Sequence, residues 1–138
     1  MQRYPTLLQR LYQPFYLHRY GEHAPGESPA TFWPIFEYDD IDITLLAQFN
    51  RRKIYAGYTL MGMQLDTAGA EAIEALSEVL HDLTLSVDCF LEAGQMLSRA
   101  NYQCAHRRTA YEDDADPVQK RHLVRIFLRD AGARSYMG

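Results

Sequence analysis

The sequence predicts a mainly β, α+β domain carrying one or two helices, and three observations lead there. Residues 85–91 and 121–129 alternate apolar and polar side chains with the period of two that a half-buried strand shows. Residues 14–40 hold aromatic stretches broken by Gly and Pro clusters, a strand, loop, strand pattern. Residues 66–83 repeat their apolar side chains at helical spacing over a long run.

Taken in order, Pro5 suits a first helical turn, and Leu7, Leu8, Leu11 and Tyr12 follow at helical spacing, so a short helix is expected over residues 5–13. The segments FYLHRY and ATFWPIFEYDD flank GEHAPGESP. Their aromatic residues, Phe15, Tyr16, Tyr20, Phe32, Trp33, Phe36 and Tyr38, are expected to fill a sheet core rather than line a pocket. Residues 41–60 are β-branched and aromatic but interrupted at Asn50, Arg51, Arg52 and Gly57, which reads as strand pieces with an irregular connection. Asp66 or Thr67 can cap the helix over 66–83, which packs through Ile73, Leu76, Leu80 and Leu83 and leaves Glu71, Glu74 and Glu78 in water. In the last strand Val124, Ile126 and Leu128 share one face. Arg121, Leu123, Arg125, Phe127 and Arg129 share the other, and a face carrying arginines calls for an acidic partner.

A chain of 138 residues is expected to be a single domain, since no repeat, low-complexity tract or linker divides it. With 47% hydrophobic and 23% charged residues it has the apolar content to bury a core. The net charge of -4 leaves no basic field for a nucleic acid or an anionic membrane, so neither is an expected partner. Arg3, Arg10 and Arg19 interrupt the first apolar residues, so there is no secretory leader pattern, and no apolar run is long enough for a bilayer span. Cys89 and Cys104 stand outside any CxxC context and read as buried or inert thiols of a reducing compartment, which places the protein in the cytoplasm.

His106 is followed 15 residues later by Arg121 and then by Arg125, which lies on the same strand face because the strand period is two. A neutral imidazole can ligate iron, and a guanidinium can clamp a carboxylate through two parallel hydrogen bonds that lysine cannot reproduce. The bland alternative is an ion-pair network with Glu112, Asp113, Asp114 or Asp116. That acidic run lacks the Gly and distal Glu of a calcium loop. His81 falls at a helix end, where the dipole favours it, and Cys104 with His106 lacks the second ligand pair of a soft-metal site.

The wording around these residues is more specific than their spacing. Gly94 in a tight turn, Met96, Asn101, the block His106-x-Arg108-Thr109-Ala110-Tyr111-Glu112-Asp113 and the strand Arg121-His122-Leu123-x-Arg125-x-x-Leu128 resemble the closing motif of the iron(II)- and 2-oxoglutarate-dependent dioxygenases of the taurine dioxygenase (TauD/TfdA)/clavaminate synthase-like family. The resemblance implies a double-stranded β-helix, or jelly roll, of which this chain is the C-terminal portion with the N-terminal strands missing. It implies His106 as the second histidine ligand of Fe(II), Arg121 as the 2-oxoglutarate residue and Arg125 as a contact to the substrate's acidic group. The implied reaction is hydroxylation of a small organic substrate coupled to decarboxylation of 2-oxoglutarate to succinate. The family's facial triad also takes an HxD or HxE motif. Here the residues two places after His18, His23, His81, His106 and His122 are Tyr20, Pro25, Leu83, Arg108 and Val124, so the motif is absent. The expectations are therefore an inactive fragment, a non-catalytic binding or assembly module, or one half of a split enzyme. Bare strand edges also point to self-association or a partner chain supplying the missing half.

Overall fold

The computed structural model describes residues 5–39, 44–100, 103–120 and 122–126. Helix α1 (Pro5–Leu11) starts on its proline and ends on Leu11, which is buried. Strands β1 (Pro14–His18) and β2 (Ala30–Pro34) pair antiparallel with Phe15 opposite Trp33 and Leu17 opposite Thr31. Alternation along β1 turns Phe15 and Leu17 inward, where both are buried. Strands β3 (Phe36–Asp39) and β4 (Thr44–Ala47) form a second antiparallel pair. Between the two pairs, Ile35 is buried, donates its N–H to the Leu11 carbonyl at 3.0 Å and accepts from Gln48 N–H at 2.8 Å. One residue thus ties α1, the first pair and the end of the second.

Strand pieces are present at 44–47 as expected, but the rest of the 41–60 segment differs from its sequence reading. Residues Arg51–Met61 form helix α2. Asn50 is not an interruption but its N-cap, accepting from Lys53 N–H at 3.0 Å. Gly62, at φ 63°, closes the helix: its N–H reaches the Thr59 carbonyl and Met63 N–H reaches that of Tyr58, the paired bonds of a Schellman stop. Gly57, read as a break, is what lets the helix lie on β1. A Cβ there would sit 2.5 Å from the Tyr16 carbonyl oxygen.

Helix α3 (Thr67–Leu80) follows the sequence reading closely. Asp66 caps it by accepting from Gly69 N–H at 2.7 Å, Ile73 and Leu76 are buried, Leu80 packs partly on the core, and Glu71, Glu74 and Glu78 are exposed. Leu83 leaves the expected stripe. It falls in a 3-10 turn (Leu83–Leu85) and is exposed. The Asp66 carboxylate also receives the Arg10 guanidinium at 2.8 Å, and that guanidinium lies 3.9 Å from the centre of the Phe15 ring, so one ion pair joins α1, β1 and α3. The arginine holds the Asp66 carboxyl below the usual carboxylate range, with the Gly69 amide helping. Burial alone acts in the opposite direction.

The core gathers Leu11, Phe15, Leu17, Ile35, Ile54, Tyr58, Ala72, Ile73 and Leu76, all from residues 11–76. Of the seven N-terminal aromatics, Phe15 is buried and Tyr16, Trp33 and Phe36 pack on the core, as expected, whereas Tyr20, Phe32 and Tyr38 are exposed. The strand expected over 85–91 is not formed: residues 86–93 are without strand, and so are 122–126 of the strand expected over 121–129, the rest of which lies outside the described residues. Cys89 and Cys104 are exposed, not buried. With α1, α2 and α3 beside two two-stranded sheets, the described residues are α+β with less strand than the sequence predicts.

Replacing Gly57 with Ala gains up to about 1 kcal/mol of helix propensity but drives a methyl into the backbone of β1. The expected net effect is a loss of about 2 kcal/mol in urea unfolding, in the range of core overpacking. Unchanged or increased stability would show that α2 does not rest on β1 at this point.

Candidate functional site

His106 lies in the 103–120 stretch, which has no helix or strand, and its side chain is exposed overall. Enough chain still surrounds the ring to disfavour its charged form. Desolvation is the largest cause that lowers its pKa, followed by the positive charges of Arg99 and Arg125. The three act in one direction and favour the neutral imidazole, the form that binds a metal. The positive charges of Arg99 and Arg125 that act on the ring also oppose a dication.

Of the sequence-predicted residues, Arg125 therefore reaches the neighbourhood of His106. Arg121, the expected 2-oxoglutarate residue, lies outside the described residues. Arg99 was not singled out by the sequence. No motif marks it, and only proximity in space brings it to the imidazole. A second feature was also missed: Arg108, Tyr111, His122 and Leu123 line an open hollow of about 280 Å³, with the Arg108 guanidinium 5.6 Å from the centre of the Tyr111 ring. Neither His106 nor Arg125 lines it.

Among the described residues no group of three His, Cys, Asp or Glu side chains is placed to hold a metal ion. His18 ends β1, and Glu22 and His23 lie in the loop between β1 and β2. The Nδ1 atom of His18 accepts from Tyr20 N–H at 2.7 Å, its ring stacks on Tyr20 at 4.1 Å, and Glu22 faces Lys53 at 3.5 Å. These contacts shape the turn, where Tyr20 takes a positive φ of 48°. His81 caps α3, as its position suggested, with Nδ1 against the Ser77 carbonyl.

A model of the taurine catabolism dioxygenase TauD, TfdA family matches residues 1–127 of this chain. The chain belongs to the TauD/TfdA dioxygenase family. It is 28% identical over 138 residues to the FR-33289 synthase of Streptomyces rubellomurinus (strain ATCC 31215), which covers 99% of this chain and 40% of that protein. The chain therefore spans less than half the length of that relative. No helix among the described residues is long and apolar enough to cross a membrane.

In this TauD/TfdA chain the imidazole of His106 should titrate below the ordinary histidine value of 6.5. Following its ring protons by NMR across pH, Arg99→Ala and Arg125→Ala should each move the midpoint upward, because each removes a positive charge. A wild-type midpoint above 6.5, or no response to either substitution, would separate the arginines from the imidazole.

Proposed function

We propose that this chain is the cosubstrate-gripping portion of an Fe(II)- and 2-oxoglutarate-dependent dioxygenase domain. The completed domain would be a jelly roll that hydroxylates a small organic substrate while 2-oxoglutarate is decarboxylated to succinate. Family membership supports the class. What supports this portion's role is the lowered pKa of His106, from desolvation first and then the charges of Arg99 and Arg125: His106 would contribute one metal ligand, and Arg121 and Arg125 would receive carboxylates, as the family resemblance implies.

The residues present do not by themselves fit iron. A stable Fe(II) site in such enzymes takes two histidines and a carboxylate together. Here the flanking charges of His106 are positive, and no histidine is followed two places later by an acid. No catalytic step is therefore assigned to the chain alone. What its own residues do is hold an anion: a dicarboxylate would be oriented by charge-assisted hydrogen bonds from the arginines and would screen their charge from the imidazole.

The test is an anaerobic titration of the purified chain with iron(II) and 2-oxoglutarate, followed by a succinate assay in air. The expected result is neither a metal-to-ligand charge-transfer absorption nor succinate, with millimolar-range retention of 2-oxoglutarate that weakens in Arg121→Ala. Stoichiometric iron binding with succinate formation that disappears in His106→Ala would overturn the reading that the residues present do not by themselves hold iron. It would make His18, His23 and Glu22 the first places to seek the remaining ligands.

A further inference from the structure

Arg19 directly follows β1 and is buried, although residues 20–22 and 24–29 of the same loop are exposed. A guanidinium does not lose its proton in a protein, so burying one calls for a carboxylate or carbonyls around it. Arg19 Nη2 lies 2.9 Å from Glu27 Oε2, and Nη1 donates to the Ser28 carbonyl at 3.3 Å. The Arg19 N–H reaches the Pro29 carbonyl at 2.9 Å, and the Arg19 carbonyl accepts from Glu22 N–H at 2.9 Å. Glu27 Oε2 also accepts from Ala24 N–H at 3.0 Å. The two ends of the loop over residues 19–29 are thus joined through one arginine and one carboxylate.

We propose that this loop is a latched flap: the Glu27 carboxylate holds it shut on the Arg19 guanidinium, and loss of that carboxylate's charge opens residues 20–28 while the core stays folded. The buried core takes no side chain from residues 19–29, so opening gives up little apolar burial. Gly21 and Gly26, at φ 82° and 88°, bracket residues 22–25, and a Cβ on either would meet none of the described residues within 4 Å, so the backbone has room to swing there. Two features disfavour the closed form. Tyr20 holds a positive φ of 48° without being glycine, and among the described residues His23 Nδ1 is buried with no hydrogen-bond partner. Water reaching an opened loop satisfies that nitrogen. A loop closed by an ion pair against such costs is a local unit with its own opening equilibrium.

Glu27 is the part of the latch that solvent reaches, its side chain being 39% exposed against 7% for that of Arg19. The other titratable groups that meet the loop are His23, whose charge favours the Glu27 carboxylate, His18, whose ring stacks on Tyr20 at 4.1 Å, and Lys53 of α2, 3.5 Å from Glu22. Opening separates Glu22 from Lys53 and bares the Arg19 guanidinium, which uncouples the loop from α2. The latch uses none of His106, Arg121 or Arg125. The Glu27 carboxyl is held below 4.5, its ordinary value, by the Ala24 N–H first, against desolvation, and then by Arg19 and the charge of His23. A carboxyl lowered in this way supports closure above 4.5 and withdraws that support as pH falls through its folded value.

The experiment reads NMR amide protection factors in the 138-residue chain for Arg19, Glu22, Ala24 and Glu27, whose N–H groups are all hydrogen-bonded in the closed loop. Glu27→Gln keeps the side-chain shape and removes the charge. At neutral pH it is expected to lower the four factors about tenfold while the amides of α3 keep theirs. In acid the wild-type loop is expected to fall to the level of Glu27→Gln. Equal protection of the loop in the two proteins at neutral pH overturns the latch, because other contacts then hold the loop. An equal loss in α3 overturns it as well, because the ion pair then stabilises the whole fold rather than the loop.

Discussion

The rest of the fold depends on how closely α2 approaches β1. At Gly57 the helix backbone comes so near the Tyr16 carbonyl that a single methyl would not fit. That approach puts Ile54 and Tyr58, one helical turn apart, onto the inward face of the strand with Phe15 and Leu17. Once α2 is seated, α3 can bring Ala72, Ile73 and Leu76 to the same core, and the Arg10 to Asp66 ion pair locks α1 to the start of α3. The Arg10 side chain is 12% exposed and the Asp66 side chain 51%, so the pair sits at the rim, where solvent screens part of its attraction. Its larger contribution is geometric: the same carboxylate caps α3 and positions α1.

What could be read from the sequence follows from which signals are local. Helix α3 was legible because its cap, its apolar stripe and its acidic outer face all lie within one segment, and the β1 to β2 pair was legible because Gly and Pro mark its boundaries. Helix α2 was not, although its signals are present. Asn50 resembles a breaker in sequence and is a cap in the structure, Gly62 is the stop, and Gly57 costs helix propensity for a reason visible only when β1 is beside it. The alternation over 85–91 and 121–129 states which faces would be covered in a sheet. It does not supply the neighbouring strands, and Val87 and Val124 show the result.

The candidate site was legible to a similar degree. The block around His106 pointed to the dioxygenase family, and the family match over residues 1–127 agrees. Arg125 stands where its charge acts on His106, while the role of Arg99 is set by tertiary proximity that no spacing rule conveys. The His106 imidazole is held toward its neutral form first by desolvation and then by the charges of Arg99 and Arg125. The core itself is closed by residues 11–76, and residues 86–100 and 103–120 carry neither helix nor strand.

The most direct test of that account is amide hydrogen exchange of the isolated chain, read segment by segment. Slow exchange is predicted in β1, α2 and α3, with exchange over residues 86–100 and 103–120 at least a hundredfold faster, since the core excludes them. Protection over 103–120 equal to that of α3 in the monomeric chain would contradict it, because His106 would then be held by the chain's own core.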